Sequence, residues 1–241
     1  MRQTYESTAK SFPADRKELF PVGCVIMASG LGRRFGGNKL LSDFHGKALI
    51  SHAIEKAGAF PFAETVVVTR YEEIAGLCAM ENIPFLLHRL PGKNDTLRLG
   101  LCRLLADTEN QMQAQADMED QPAIQTPLSF ADRIIRTGLS GCLFWPADQP
   151  LVTLESLNSL VRTFFQFPGS ICRLGYDDIA GSPILFGQKY FPELMALPED
   201  KGGSFLAQKY PAQVKIIPAR NKYELCDIDT PEDLAFLSRH F

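Results

Sequence analysis

Between residues 28 and 39 the chain reads Ala28-Ser29-Gly30-Leu31-Gly32-Arg33-Arg34-Phe35-Gly36-Gly37-Asn38-Lys39. The glycines let the backbone approach a ligand closely, and the exposed N–H groups of such a loop make a concavity for an anion. Arg33, Arg34 and Lys39 add full positive charge, and the planar guanidinium fork matches phosphate oxygens. The chemistry is phosphate binding. The spacing is not that of a P-loop, because Asn38 separates Gly37 from Lys39 and Leu40, not a hydroxyl residue, follows. Nor is it a dinucleotide fingerprint: Gly36 comes one residue too late after Gly30-x-Gly32, and no acid closes the TVVVT segment ending at Thr69 to take a ribose.

Two acidic segments complement this loop. Trp145-Pro146-Ala147-Asp148-Gln149-Pro150 ends an apolar run in an acid bracketed by prolines, which restrict the backbone around it. A carboxylate beside phosphates is what Mg²⁺ takes as a ligand, although an Asp there also serves as a turn residue. In Cys226-Asp227-Ile228-Asp229-Thr230-Pro231-Glu232-Asp233 the last four residues read as a helix start, with Thr at the N-cap, Pro at N1 and an acid at N3. Asp227 and Asp229 precede that cap and alternate along an extended stretch. They fit either a second metal ligand or a favourable partner for the helix dipole. Gly181-Ser182-Pro183 and Asp200-Lys201-Gly202-Gly203 can line a substrate pocket or simply turn the chain. The four histidines show no metal-ligand spacing, and no cysteine pair has the CxxC spacing of a zinc or redox motif.

These residues need a scaffold. Val22–Ala28 is a short, β-branched apolar run that leads straight into the glycines, as a strand buried on both faces of a parallel sheet does. Thr65–Thr69, Pro84–His88 and Gly141–Trp145 read the same way. Helical periodicity covers Ala48–Phe60, Glu72–Glu81, Asp95–Ala106 and Thr153–Phe165, with further strands near Ser170–Leu174, Pro183–Gly187 and Val214–Ile217 and a short helix at Gly203–Lys209. Strands alternating with helices predict an α/β, three-layer Rossmann-like fold: a mostly parallel sheet with helices on both faces, joined by right-handed crossovers. Ligands then collect at the carboxyl ends of the strands. Residues 1–20 read as a polar extension, and 21–241 as a single domain with a Gln-rich, acidic surface insertion near 107–130.

Composition narrows the function classes. Over 241 residues, 25 Lys+Arg against 28 Asp+Glu leave a net charge of −3, without a basic run of the kind that binds nucleic acid. No stretch approaches the roughly 20 apolar residues of a membrane span, and no apolar leader opens the chain. Six cysteines spread through apolar runs read as free, buried thiols. The expectation is a cytoplasmic protein without nucleic-acid or membrane partners.

The ordered set Ala28–Leu41, Asp148-Gln149-Pro150-Leu151, Gly181–Phe186, Asp200–Gly203 and Asp227–Leu234 resembles the nucleotidyltransferases of molybdenum cofactor maturation, with the cytidylyltransferase branch most similar. The resemblance spans about residues 22 to 238. It implies the nucleotide-diphospho-sugar transferase fold and an Mg²⁺-dependent enzyme that moves a nucleotidyl group from an NTP to the phosphate of molybdopterin, releasing pyrophosphate. By residue it implies nucleotide contacts at Ala28, Ser29, Gly30, Leu31, Gly32, Arg33, Lys39 and Thr96. It further implies catalytic roles for Arg33, Lys39 and Asp148, metal ligation by Asp148 with Asp227 or Asp229, and substrate contacts from Gln149 and Ser182. Lys39-Leu40-Leu41 and Asp148-Gln149-Pro150 favour CTP over GTP, and a molybdoenzyme is the partner implied. The chain departs from the family pattern at Ser29 (usually Ala or Gly), at Lys93-Asn94-Asp95 (a Ser-rich segment) and at Ser182 (usually His). A sugar-1-phosphate nucleotidyltransferase, sharing the first loop and the metal Asp, and a non-catalytic accessory protein that hands cofactor to a molybdoenzyme are the alternatives these departures leave.

Overall fold

The computed structural model describes residues 20–92, 94–106 and 129–241. The expected N-terminal extension (apart from Phe20), Lys93 and all but the last two residues of the expected insertion lie outside them. A seven-stranded sheet runs in the order β5-β4-β1-β6-β8-β7-β9. Its central strands are β1 (Phe20–Ala28), β4 (Phe62–Thr69) and β6 (Gly141–Pro146), all parallel, with β5 (Phe85–Leu87) parallel to β4 at one edge. Ala28 pairs with Thr69 and Met27 with Pro146, so three strands end at one level and their loops meet there.

Alternation along β1 builds both cores, as period-two geometry requires. Cys24, Ile26 and Ala28 point to one face, where they meet helix α1 (Leu49–Ala59) and helix α5 (Leu154–Gln166). Val25 points to the other, under helix α3 (Asp95–Leu104) and the short helices α6 (Phe191–Met195) and α7 (Gly203–Lys209). Helix α2 (Glu72–Met80) packs beside β4 and β5, and helix α4 (Phe130–Thr137) opens with a Ser129 capping box. The three-layer α/β fold expected from the sequence is the one observed. Helix α3 lies unusually close to the sheet: a Cβ on Gly100 would stand 2.4 Å from Val25 Cγ1.

The sheet is mostly parallel, as expected, and its antiparallel part is local: β7 (Ile171–Tyr176) and β8 (Ile179–Gly187) are antiparallel. Only Asp177 and Asp178 separate them, and a two-residue link closes a hairpin but cannot carry a crossover. β8 therefore runs against β6 as well, while β9 (Val214–Pro218) is parallel to β7. One expectation is corrected, that for β5, whose apolar side chains read as doubly buried. As an edge strand it leaves Phe85 and Leu87 exposed. A small hairpin, β2 (Asp43–Phe44) and β3 (Lys47–Ala48), was not anticipated; it turns through His45 and Gly46 at positive φ. The closing helix α8 (Pro231–His240) begins as its sequence demands, with Thr230 and Asp233 in a reciprocal capping box and Pro231 at N1. Among the described residues no helix is long and apolar enough to cross a membrane, and the six cysteines are free thiols.

Candidate active site

The glycine-rich loop forms one wall of a cleft of about 490 Å³ at the carboxyl edge of the sheet. Gly32 is at φ +56°, and its carbonyl accepts the N–H groups of Phe35 (2.9 Å) and Gly36 (3.1 Å). A Cβ at Gly32 would lie 2.2 Å from the Gly37 carbonyl oxygen, so only glycine closes this turn. Beyond it, among the described residues, Asn38 has both side-chain polar atoms buried without a protein partner, and Arg33 is exposed and hydrogen-bonds to nothing. Ser29, Gly30, Leu31, Gly32, Arg33, Arg34 and Lys39 all line the cleft. Ala28 stays at the strand end, fully buried, with its carbonyl accepting from Thr69 Oγ1 at 3.1 Å.

Opposite the loop stand the acids. Asp148 follows β6, and its carbonyl accepts the Ile228 N–H at 3.0 Å. That bond, with Ile228 wholly buried, fixes the extended segment carrying Asp227 and Asp229 against the strand end. Lys39, 7% exposed, donates to Asp148 Oδ2 (2.6 Å) and Asp229 Oδ1 (2.7 Å), and Arg34 donates to the other oxygen of Asp229 at 2.6 Å. Burial disfavours the Lys39 ammonium, but the two carboxylates outweigh it and hold the pKa above its ordinary value. Asp227 does not join this pair. It accepts from Gln149 Nε2 at 2.9 Å; its outer edge keeps solvent contact, while the protein packed around it and then the Asp148 charge push its carboxyl up to about 6. The site thus concentrates more negative charge than Lys39 alone relieves.

The carboxylate oxygens of Asp148 and Asp229 already converge on one cation, and hard oxygen donors of this kind suit Mg²⁺. Among the described residues no three His, Cys, Asp or Glu side chains make a complete metal cage.

The far end of the cleft is formed by Ser29, Arg70, Pro91, Gly92 and Thr96. Thr96 lies in the first turn of α3, and Asp95 beside it accepts the Gly92 N–H at 2.7 Å, so this acid closes a turn and favours the helix N-terminus. Arg70, whose guanidinium donates to the Leu90 carbonyl at 2.9 Å, was missed in the sequence. Its position just after TVVVT, at a strand's carboxyl end, was the available signal. His88, read as having no role, bonds Ser29 Oγ at 2.8 Å. Tyr71 OH donates to the Gly30 carbonyl at 2.7 Å and steadies the loop from the β4 side. The fully buried Glu224 went equally unnoticed; its carboxylate accepts the Thr153 N–H (3.2 Å) and the Arg220 N–H (2.9 Å), tying the loop after Asp148 to the segment that carries Asp227 and Asp229.

The substrate candidates fall elsewhere. Gln149 is 3% exposed and is engaged by Asp227. Ser182 lines a second, more apolar cavity of about 220 Å³ with Phe144, Phe186, Gly202 and Gly203; Met27 borders both cavities, so they are neighbours.

Comparison with known proteins agrees with this architecture. The chain is 26% identical over 216 residues to the purine catabolism protein PucB of Bacillus subtilis, spanning 89% of this chain and 95% of that one. A molybdopterin-guanine dinucleotide biosynthesis protein A from Archaeoglobus fulgidus superposes with a TM-score of 0.61 at 18% identity, covering 90% of this chain and 97% of that one. A Mycobacterium tuberculosis H37Rv protein solved in complex with manganese superposes with a TM-score of 0.61 at 17% identity, covering 91% and 99%. Residues 24–214, which carry the glycine-rich loop, Asp148 and the second cavity but not Asp229, match the MobA-like NTP transferase domain, and the chain belongs to this family of nucleotidyltransferases.

Proposed function

We propose that residues 21–241 act as one Mg²⁺-dependent cytidylyltransferase domain, moving CMP from CTP to the phosphate of molybdopterin in the cytoplasm for delivery to a molybdoenzyme. The observation that carries the reading is the facing of Asp148 and Asp229 across the cleft from the glycine-rich loop with Arg33, joined to it by Lys39. In this reading the N–H groups of residues 30–33, Arg33 and Lys39 hold the triphosphate, and Lys39 hands over from the carboxylates to phosphate oxygens. An acceptor phosphate oxygen attacks the α-phosphorus, the bond from that phosphorus to the β-phosphate's bridging oxygen breaks, and pyrophosphate departs with the bonding pair. Such a reaction needs positioning and charge neutralisation more than a covalent nucleophile. Asp148 and Asp229 would hold Mg²⁺, whose contribution is to neutralise charge on the phosphates. The neighbouring apolar cavity at Ser182, Gly202 and Gly203 would take the ring system of the acceptor. The Archaeoglobus protein's name supports a molybdopterin-type acceptor, and the manganese complex supports a divalent ion.

The test is pyrophosphate release with each of the four NTPs and Mg²⁺, with and without molybdopterin. Release that requires molybdopterin and is fastest with CTP supports the proposal. Release with a sugar 1-phosphate instead of molybdopterin would replace the acceptor.

A further inference from the structure

At the end of the cleft away from the acids, a chain of hydrogen bonds reaches Ser29. The Leu90 N–H donates to His88 Nδ1 at 3.2 Å, which leaves the ring proton on Nε2. Nε2 stands 2.8 Å from Ser29 Oγ and donates to it, and the Ser29 hydroxyl donates to the Val68 carbonyl at 3.1 Å. Burial, and then the Arg70 charge, lower the pKa of His88 and keep the ring neutral, as this arrangement requires. A hydroxyl has one proton and two lone pairs. With its proton on Val68 and one lone pair on His88, Ser29 has only an acceptor left to show the cleft it lines.

Arg70 lines the same end and supplies the opposite property. One N–H goes to the Leu90 carbonyl, and among the described residues the remaining guanidinium N–H groups have no acceptor. The acids and Lys39 mark the opposite end as the phosphate end, so the base of a bound nucleotide falls between Ser29 and Arg70. We infer that Ser29 and Arg70 select the base, reading an exocyclic amino group beside an unprotonated ring nitrogen, with His88 as the positioning residue that keeps Ser29 an acceptor. Cytosine and adenine present that amino–nitrogen edge. Uracil and guanine present a carbonyl beside an N–H, which would face acceptor with acceptor and donor with donor. The inference rests on the nucleotide cleft of the proposed function but not on its acceptor.

Equilibrium binding of CTP, UTP, ATP and GTP in the presence of Mg²⁺ tests it without turnover. Cytosine and uracil are the same size, so the CTP/UTP ratio isolates the polar readout. An unpaired or mismatched buried polar group costs about tenfold or more in affinity. The parent protein is expected to bind CTP at least about tenfold more tightly than UTP, and ATP more tightly than GTP. Ser29→Ala and His88→Leu should both bring the CTP/UTP ratio toward one, while His88→Gln, whose amide N–H can replace Nε2–H, should keep most of it. The ratio is the decisive readout because a merely loosened loop would weaken all four nucleotides together. If Ser29→Ala does not fold, the two His88 variants carry the test. Equal or tighter binding of UTP or GTP by the parent, or an unchanged ratio in the variants, overturns the inference. Failure to bind any NTP overturns it together with the proposed nucleotide cleft. A preserved CTP preference without transfer to molybdopterin supports it and discards only the acceptor.

Discussion

Lys39→Met places a chain of similar length and no charge between Asp148 and Asp229. The two charge-assisted bonds it removes, at 2.6 and 2.7 Å, are of a kind worth about 1.5–3 kcal/mol each when lost. The full sum does not apply. Asp229 keeps its bond from Arg34, and the side chains of Asp148 and Asp229 retain 21% and 32% exposure, so water takes over part of the lost interaction. Removing one partner of a partly buried pair under those conditions should cost about 2 kcal/mol. In a protein of this size that corresponds to a fall in Tm of about 5 °C. Urea denaturation of Lys39→Met and of Asp229→Asn measures it, and the double variant should recover about 1 kcal/mol, because the two residues share one network. A Lys39→Met protein as stable as its parent, or strict additivity in the double variant, would mean that the carboxylates are fully solvated and that Lys39 holds neither of them.

Further outcomes follow from the same geometry. Asp148→Ala and Arg33→Ala should each lower kcat by about 100-fold, since each removes a charge facing the phosphates, and steady-state pyrophosphate release reads this directly. Gly32→Ala should leave the far-ultraviolet circular dichroism intact yet weaken NTP binding at least about tenfold, because its Cβ would collide with the Gly37 carbonyl and open the loop. Gly100→Ala should destabilise by about 1–3 kcal/mol in urea, as the new methyl meets Val25 and lifts α3 from the sheet. It should also raise KM for the nucleotide, because Thr96 is carried by the same helix.

Much of this molecule is legible from local chemistry. Apolar runs of strand length that end in glycine, a Thr-x-x-Asp cap with Pro at N1, and helical spacing between them specify an α/β sandwich, because each signal depends only on neighbours in the chain. The glycine-rich, cationic loop is readable for the same reason: its glycines and its cations lie within twelve residues. Asp148, Asp227 and Asp229 could be named as candidates, but their division of labour could not. Whether Asp229 meets Lys39 while Asp227 turns to Gln149 is settled by the Ile228–Asp148 backbone bond, which joins segments about eighty residues apart in the chain. The edge exposure of β5 and the reversal of β8 likewise depend on sheet order, which no local pattern encodes. His88 and Arg70 follow two different strand segments and acquire meaning only where β4 and β5 bring them beside the loop of β1. Local patterns specify the elements and bring the glycines and cations of the first loop together. Tertiary structure decides which charges face one another, because electrostatic and hydrogen-bond partnerships act over a few ångströms of space and ignore separation along the chain.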